Sequence, residues 1–179
     1  MIVREKHLVV VDIHPYYQDL NKRLLEDVSR FKFYTSAENA YPTNIRGSQY
    51  NLKKGEETSA VKLVLDWVYS LLRSDYSGYS LGAEEHQVQL DCMSWFARYN
   101  EGEYALSHHH NQVLFGFVYF IKAPKGASPF VFTTSGNRIK AEEGKVIIFP
   151  GNLHHHVPKN KCKDRLVLAG NIIFQLNKD

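Results

Sequence analysis

The sequence predicts a mainly β protein, a sandwich or barrel of short strands with two helices covering one outer face. Three observations predict it. The first half carries two amphipathic stretches with apolar residues every three or four positions. From Glu85 onward the period drops to two. The second half then breaks into seven or eight short runs rich in Val, Ile, Phe and Tyr, separated by turn residues.

The elements follow in order. His7–Ile13 alternates weakly and reads as a strand or extended lead-in. Pro15 opens a helix at a position where its missing N–H costs nothing, and Leu20, Leu24, Val28 and Phe31 give the helix one apolar face extending to about Tyr34. Thr35–Glu57 holds Pro42, Gly47 and Gly55 without periodicity and is expected to be a long loop, a candidate lid. Thr58 is a helix N-cap, and Val61, Val64, Leu65, Val68 and Leu72 form the buried stripe of a helix ending near Arg73. Gly78 and Gly82 mark a turn. Strands are then expected at 85–96, Tyr104–His110, Val113–Lys122, Pro129–Thr134, Arg138–Lys140, Lys145–Phe149, Leu153–Val157 and Arg165–Phe174. The whole chain, 1–179, reads as a single domain, with 1–84 as helical support and 85–179 as the β core.

Composition narrows the function. With 44% hydrophobic and 23% charged residues the 179-residue chain is ordinary for a soluble globular protein. No apolar run reaches the roughly 18–20 residues of a membrane span, and residues 1–11 lack the apolar centre of a signal peptide. A net charge of +3 without a dense Lys/Arg stripe argues against nucleic acid. The two cysteines, Cys92 and Cys162, fit free thiols in a reducing cytoplasm. The oligomeric state is not legible.

Six of the nine histidines fall in two triplets, His108-His109-His110 and His154-His155-His156. On a strand, residues i and i+2 share a face, roughly 6–7 Å apart. His108 and His110 can therefore grip one ion, and His155 can join them inside a barrel. Imidazole suits iron, zinc, copper and nickel, and three protein ligands leave positions open for chemistry. His109, His154 and His156 are expected to face outward or to support the ligands; His7, His14 and His86 are expected to be structural. Ten residues after His155 comes Arg165, at the start of the last strand. Arg165, Val167, Ala169 and Asn171 share a face there, which is poor core material and suits a cavity wall. A buried arginine needs an anionic partner, and guanidinium grips a carboxylate with two hydrogen bonds.

From Trp95 to Asn171 these pieces resemble the Fe(II)- and 2-oxoglutarate-dependent oxygenases, in the family's own order. Arg98-Tyr99-Asn100-Glu101-Gly102 is similar to an Arg-Tyr-x-x-Gly lead-in, and His108-His109-His110 stands at the place of His-x-Asp. Gly116–Phe120 resembles the strand that follows. Gly144–Pro150 and Leu153–Val157 resemble the Phe-Pro-x-x-Leu-x-His-x-Val segment of the distal histidine. In particular, the pieces resemble the small, stand-alone enzymes of phages and bacteria. The resemblance implies a double-stranded β-helix, also called a jelly-roll or cupin-like barrel. It implies Fe(II) or another divalent metal on His108, His110 and His155, and 2-oxoglutarate as co-substrate. Arg165 is then the partner of the far carboxylate, with Tyr99, Tyr119 and Asn171 as further cofactor-binding candidates. It also implies O2 and a small-molecule or peptide substrate.

The sequence departs from this pattern at one position. His110 replaces the family's carboxylate, and no Asp or Glu occurs between Glu103 and Ala141. Gly102, His108 and His110, then Gly144, Pro150 and His155, also resemble the two cupin motifs without their glutamate. A three-histidine cupin-type enzyme not using 2-oxoglutarate is therefore an alternative, and a non-catalytic metal- or ligand-binding barrel is a third. Whether the Arg165 side chain enters the cavity discriminates the first from the second.

Overall fold

A computed structural model describes residues 8–38, 43–75 and 89–175. Its elements are β1 (Val10–Ile13), α1 (Tyr17–Val28), β2 (Tyr34–Thr35), β3 (Ile45–Arg46), β4 (Ser48–Asn51) and α2 (Ser59–Asp75), then β5 (Gln89–Tyr99), β6 (Tyr104–His108), β7 (Phe115–Lys122), β8 (Phe130–Phe132), β9 (Arg138–Ile139), β10 (Lys145–Pro150), β11 (His155–Val157) and β12 (Arg165–Gln175). The strands form a seven-stranded sheet, ordered β1-β10-β7-β12-β5-β4-β2, facing a five-stranded sheet, ordered β3-β6-β11-β8-β9. Neighbouring strands pair antiparallel.

Two apolar layers hold this together. The helices bury Leu20, Leu24, Val28, Val61, Val64, Val68 and Leu72 against one face of the large sheet, where Phe96, Phe117, Tyr119, Ile121 and Leu168 meet them. The other face contributes Ala97, Tyr99, Val118, Phe120 and Val167 to a second cluster, closed by Ile45, Phe130, Phe132 and Val157 of the small sheet. The strand period of two explains the division. On β7, Phe117, Tyr119 and Ile121 face the helices, while Val118 and Phe120 face the second sheet.

Of the stripe expected for the second helix, Val61, Val64, Val68 and Leu72 are buried and Leu65 is partly buried, and Val61 N donates to Thr58 Oγ1 at 3.2 Å to cap it. The first helix is shorter than expected and ends at Val28; Phe31 lies beyond it but still stacks on Tyr50, with ring centroids 4.4 Å apart. The segment 35–57 is not a free loop. Its described part supplies β3 to the small sheet and β4 to the large one, and Gly47 crosses between them. A side chain at Gly47 would meet the Arg98 carbonyl at 2.6 Å, so the crossing requires glycine. The turn expected at Gly78 and Gly82, and His7 and His86, lie outside the described residues.

Candidate metal and carboxylate site

The two histidine triplets meet because β6 and β11 are neighbours. His155 is directly opposite His108 in the register, and the pairing slips between His155 and Val157. β6 ends at His108, so His110 is not on the strand as expected. It is returned to the site by the turn, where its backbone N–H donates to the Gly151 carbonyl at 2.8 Å. Ring centroids lie 4.3 Å apart for His108 and His155, 5.1 Å for His108 and His110, and 5.2 Å for His110 and His155. One ring nitrogen from each falls within 4.8 Å of the others.

The backbone fixes two of the tautomers. His108 Nδ1 is 2.7 Å from the Leu106 carbonyl, and His155 Nδ1 is 2.8 Å from the Leu153 carbonyl. A carbonyl only accepts, so Nδ1 carries the proton in both rings and Nε2 keeps its lone pair. A second ring nitrogen tied to a carbonyl is the usual support of a metal-ligating histidine. Burial holds the His108 ring below the ordinary imidazole range, and takes His110 to about 4 and His155 to about 3, with neighbouring histidines adding to it. All three are neutral at pH 7, the form a metal requires. His155 is fixed between Phe130, stacked at 5.0 Å, and Phe149, edge-on at 4.7 Å.

Arg165 opens β12 opposite Tyr99. It is fully buried, and its Nε donates to the Ser128 carbonyl at 3.1 Å. The guanidinium lies 4.9 Å over the Tyr99 ring and 5.1 Å over the Phe120 ring. Neither terminal nitrogen has a hydrogen-bond partner among the described residues. Burial lowers its pKa to about 10, so it remains a cation at pH 7, and burial raises Tyr99 to about 12. Asn160 sets the position of this corner. Its Oδ1 accepts from Ser128 N at 2.9 Å, and its Nδ2 donates to the Tyr99 carbonyl at 3.0 Å and to the Cys162 carbonyl at 2.7 Å.

His108, His110, His155 and Arg165 all line one cavity between the sheets, together with Trp95 and Tyr99. Ala97 and Ala169 leave it room. Tyr119 is the correction. It is on the opposite face of β7, packs edge-on to Trp67 at 6.3 Å, and donates its hydroxyl to Asn21 Oδ1 at 2.8 Å. It belongs to the helix layer and not to the cavity. Both faces of β7 are apolar and buried, so the sequence held no signal for which parity faces the site. Asn171 lies beyond Ala169 on β12, between Met93 and Gly116, with Oδ1 buried and unpartnered among the described residues; it does not line the cavity.

The remaining histidines take supporting places. His109 and His154 face each other at 4.3 Å, and His109 Nε2 is 2.7 Å from Asn111 Oδ1. His156 Nδ1 is 2.9 Å from Thr133 Oγ1, which is 2.8 Å from Ser107 Oγ, although His156 also borders the cavity. His14 packs edge-on to Trp67 at 4.9 Å. Trp95 shares its strand face with Ala97 and Tyr99, so parity alone could have identified it. Ile45, Ser128 and Asn160 come from loops or very short strands whose placement has no local signature.

The donor set fits a divalent metal: three neutral imidazoles converge with lone pairs available. The two unpartnered guanidinium nitrogens fit a carboxylate in the same cavity. Solved structures share this architecture. A prolyl-4-hydroxylase from Pseudomonas putida is 18% identical, covering 96% of this chain and 94% of its own, with a TM-score of 0.71. The viral collagen prolyl hydroxylase of Paramecium Bursaria Chlorella virus-1, in complex with 2OG, is 16% identical over 92% of this chain and 94% of its own, with a TM-score of 0.67. HygX from Streptomyces hygroscopicus, bound to nickel, 2-oxoglutarate and hygromycin B, is 11% identical over 93% and 82%, with a TM-score of 0.66. No family model and no curated protein matches the chain. The chain thus has the double-stranded β-helix fold of these structures, as the strand spacing and motif order imply.

Proposed function

We propose that the protein is a non-haem Fe(II)- and 2-oxoglutarate-dependent dioxygenase that hydroxylates an unidentified substrate, with decarboxylation of 2-oxoglutarate to succinate. One observation carries the reading: a three-histidine cluster and a buried guanidinium with two free donors line the same cavity. His108, His110 and His155 would hold the ion, with another divalent metal able to take the same place. Bound there with 2-oxoglutarate, Fe(II) supplies the O2 chemistry that oxidises a C–H bond. Arg165 binds the far carboxylate of the co-substrate, and Ser128 and Asn160 keep its plane fixed. The Tyr99 ring supports the guanidinium from one face. Phe130, Phe149 and Trp95 exclude water from the reacting centre.

The substrate class is a peptide or a small molecule. Among the similar structures are prolyl hydroxylases, one of them holding a peptide fragment of hypoxia-inducible factor, and HygX holds hygromycin B. No helix among the described residues is long and apolar enough to cross a membrane. Two free thiols agree with a cytoplasmic location. The absence of a carboxylate from the ligand set is what favours the cupin-type alternative, and the position of Arg165 inside the cavity is what favours the oxygenase.

The test is anaerobic titration of the Fe(II)-loaded protein with 2-oxoglutarate, followed by visible absorbance, with His155→Ala and Arg165→Ala alongside. Absorbance that requires His155 and weakens without Arg165 is expected. Metal binding without any response to 2-oxoglutarate would bring the cupin-type enzyme forward.

A further inference from the structure

The charge balance of the cavity is incomplete, and the deficit indicates what else must enter it. No Asp or Glu occurs in residues 104–140, and none lines the cavity among the described residues. Nearby carboxylates are engaged elsewhere. Asp164 pairs with Lys122 and Arg98 on the far side of β12, and Glu103 accepts from Asn100 N. The cavity instead contributes a buried guanidinium and three imidazoles, two of them with tautomers set by carbonyls. A divalent ion and Arg165 together bring three positive charges. 2-Oxoglutarate, the co-substrate under the reading above, brings two negative ones. One positive charge remains among Trp95, Phe130 and Phe149, where an uncompensated charge is expensive.

Resting on that reading, we propose that the prime substrate is an organic acid, whose single negative charge enters beside His110 and neutralises the loaded site. A carboxylate supplied by the substrate takes over the electrostatic task that a carboxylate ligand from the protein would perform, so neutral analogues are discriminated against by charge before shape. Trp95, whose ring lies 6.3 Å from that of His110, provides an apolar wall for the rest of such a molecule.

The test uses protein loaded with Co(II), so that no turnover intervenes, and isothermal titration calorimetry. 2-Oxoglutarate is titrated first, which examines the co-substrate reading on its own. With 2-oxoglutarate saturating, acetate, azide and neutral acetamide are then titrated in turn. Acetate and azide are expected to bind at least about tenfold more tightly than acetamide. His110→Asp, which places a negative charge in the ligand set, is expected to lower acetate affinity about tenfold or more, compared per Co(II) ion held, with Co(II) content measured alongside. Equal binding of acetate and acetamide by the wild-type protein overturns the proposal, and this comparison does not depend on how the variant folds. Azide binding without acetate binding also overturns it, since the charge would then belong to a small inorganic anion. If 2-oxoglutarate gives no heat, the co-substrate reading fails, and the charge count behind the proposal fails with it; heat from 2-oxoglutarate with equal binding of acetate and acetamide overturns the proposal alone.

Discussion

Replacing Arg165 with Met should make the metal-free protein more stable while abolishing its response to 2-oxoglutarate. The guanidinium is fully buried with two unpartnered nitrogens, and an unpaired buried ion costs several kcal/mol, taken here as about 5. Against that gain, the variant loses the Nε bond to Ser128 and orphans that carbonyl, about 2 kcal/mol. It also loses contact of the cation with the Tyr99 and Phe120 rings, about 1 kcal/mol. The balance is a gain of about 2 kcal/mol, or roughly 4–8 °C in melting temperature for a chain of this size. Methionine is flexible and of similar length, so it can fill the space. The wild-type protein, loaded with nickel and given 2-oxoglutarate at a hundred times its Kd, should gain about 2.7 kcal/mol, and the variant nothing. Thermal and urea unfolding followed by circular dichroism measure both quantities. A variant that melts several degrees below wild type, or that keeps the shift with 2-oxoglutarate, would refute the argument that Arg165 is held unpaired for a carboxylate.

Three further outcomes are expected. Gly116→Ala places a methyl group 2.7 Å from Phe149 Cζ, and Phe149 packs on His155, so the variant should lose about 1–3 kcal/mol in urea unfolding and bind metal more weakly in a chelator competition. Tyr119→Phe removes the bond to Asn21 and leaves that oxygen unpaired, costing about 1–3 kcal/mol in urea unfolding, yet 2-oxoglutarate affinity by calorimetry should not change because the ring faces the helices. Burial raises the Cys92 thiol to about 12, which favours its protonated form, so timed alkylation with iodoacetamide and mass spectrometry should find it nearly inert at pH 8 and faster as pH rises. Rapid labelling of Cys92 at pH 8 in the folded protein would contradict the raised thiol pKa that its partial burial gives.

Much of this architecture is legible in the residues because long, regular elements announce themselves. The α2 stripe from Val61 to Leu72 and the alternation along β12 are both read correctly from period alone. The convergence of His108 and His155 follows once β6 and β11 are neighbours; the residues implied one shared site but not that strand pairing. Legibility fails where elements are too short to show a period. β2 and β3 have two residues each and β4 has four, with polar side chains such as Gln49 in buried positions, so 35–57 reads as a loop. It fails differently at Tyr119, where burial on both faces erases the signal that distinguishes them. Asn160 is invisible for a third reason: its side-chain bonds reach Tyr99, Ser128 and Cys162, and two of those residues lie more than thirty positions away.

The carbonyls of Leu106 and Leu153 have a consequence for how the protein meets its metal. Each stands two residues before the histidine it orients, so the rings are aimed by the local chain and by the apolar layers around them. The apolar layers that hold the rings need no ion to form, so under the proposed reading folding would precede loading. Loading would then be a late, reversible exchange with whatever free metal the surroundings offer. Scarcity of iron would then silence the protein without exposing its core to proteases, and renewed supply would restore it without new synthesis. Competition among available metals, not the folding pathway, would set the active fraction.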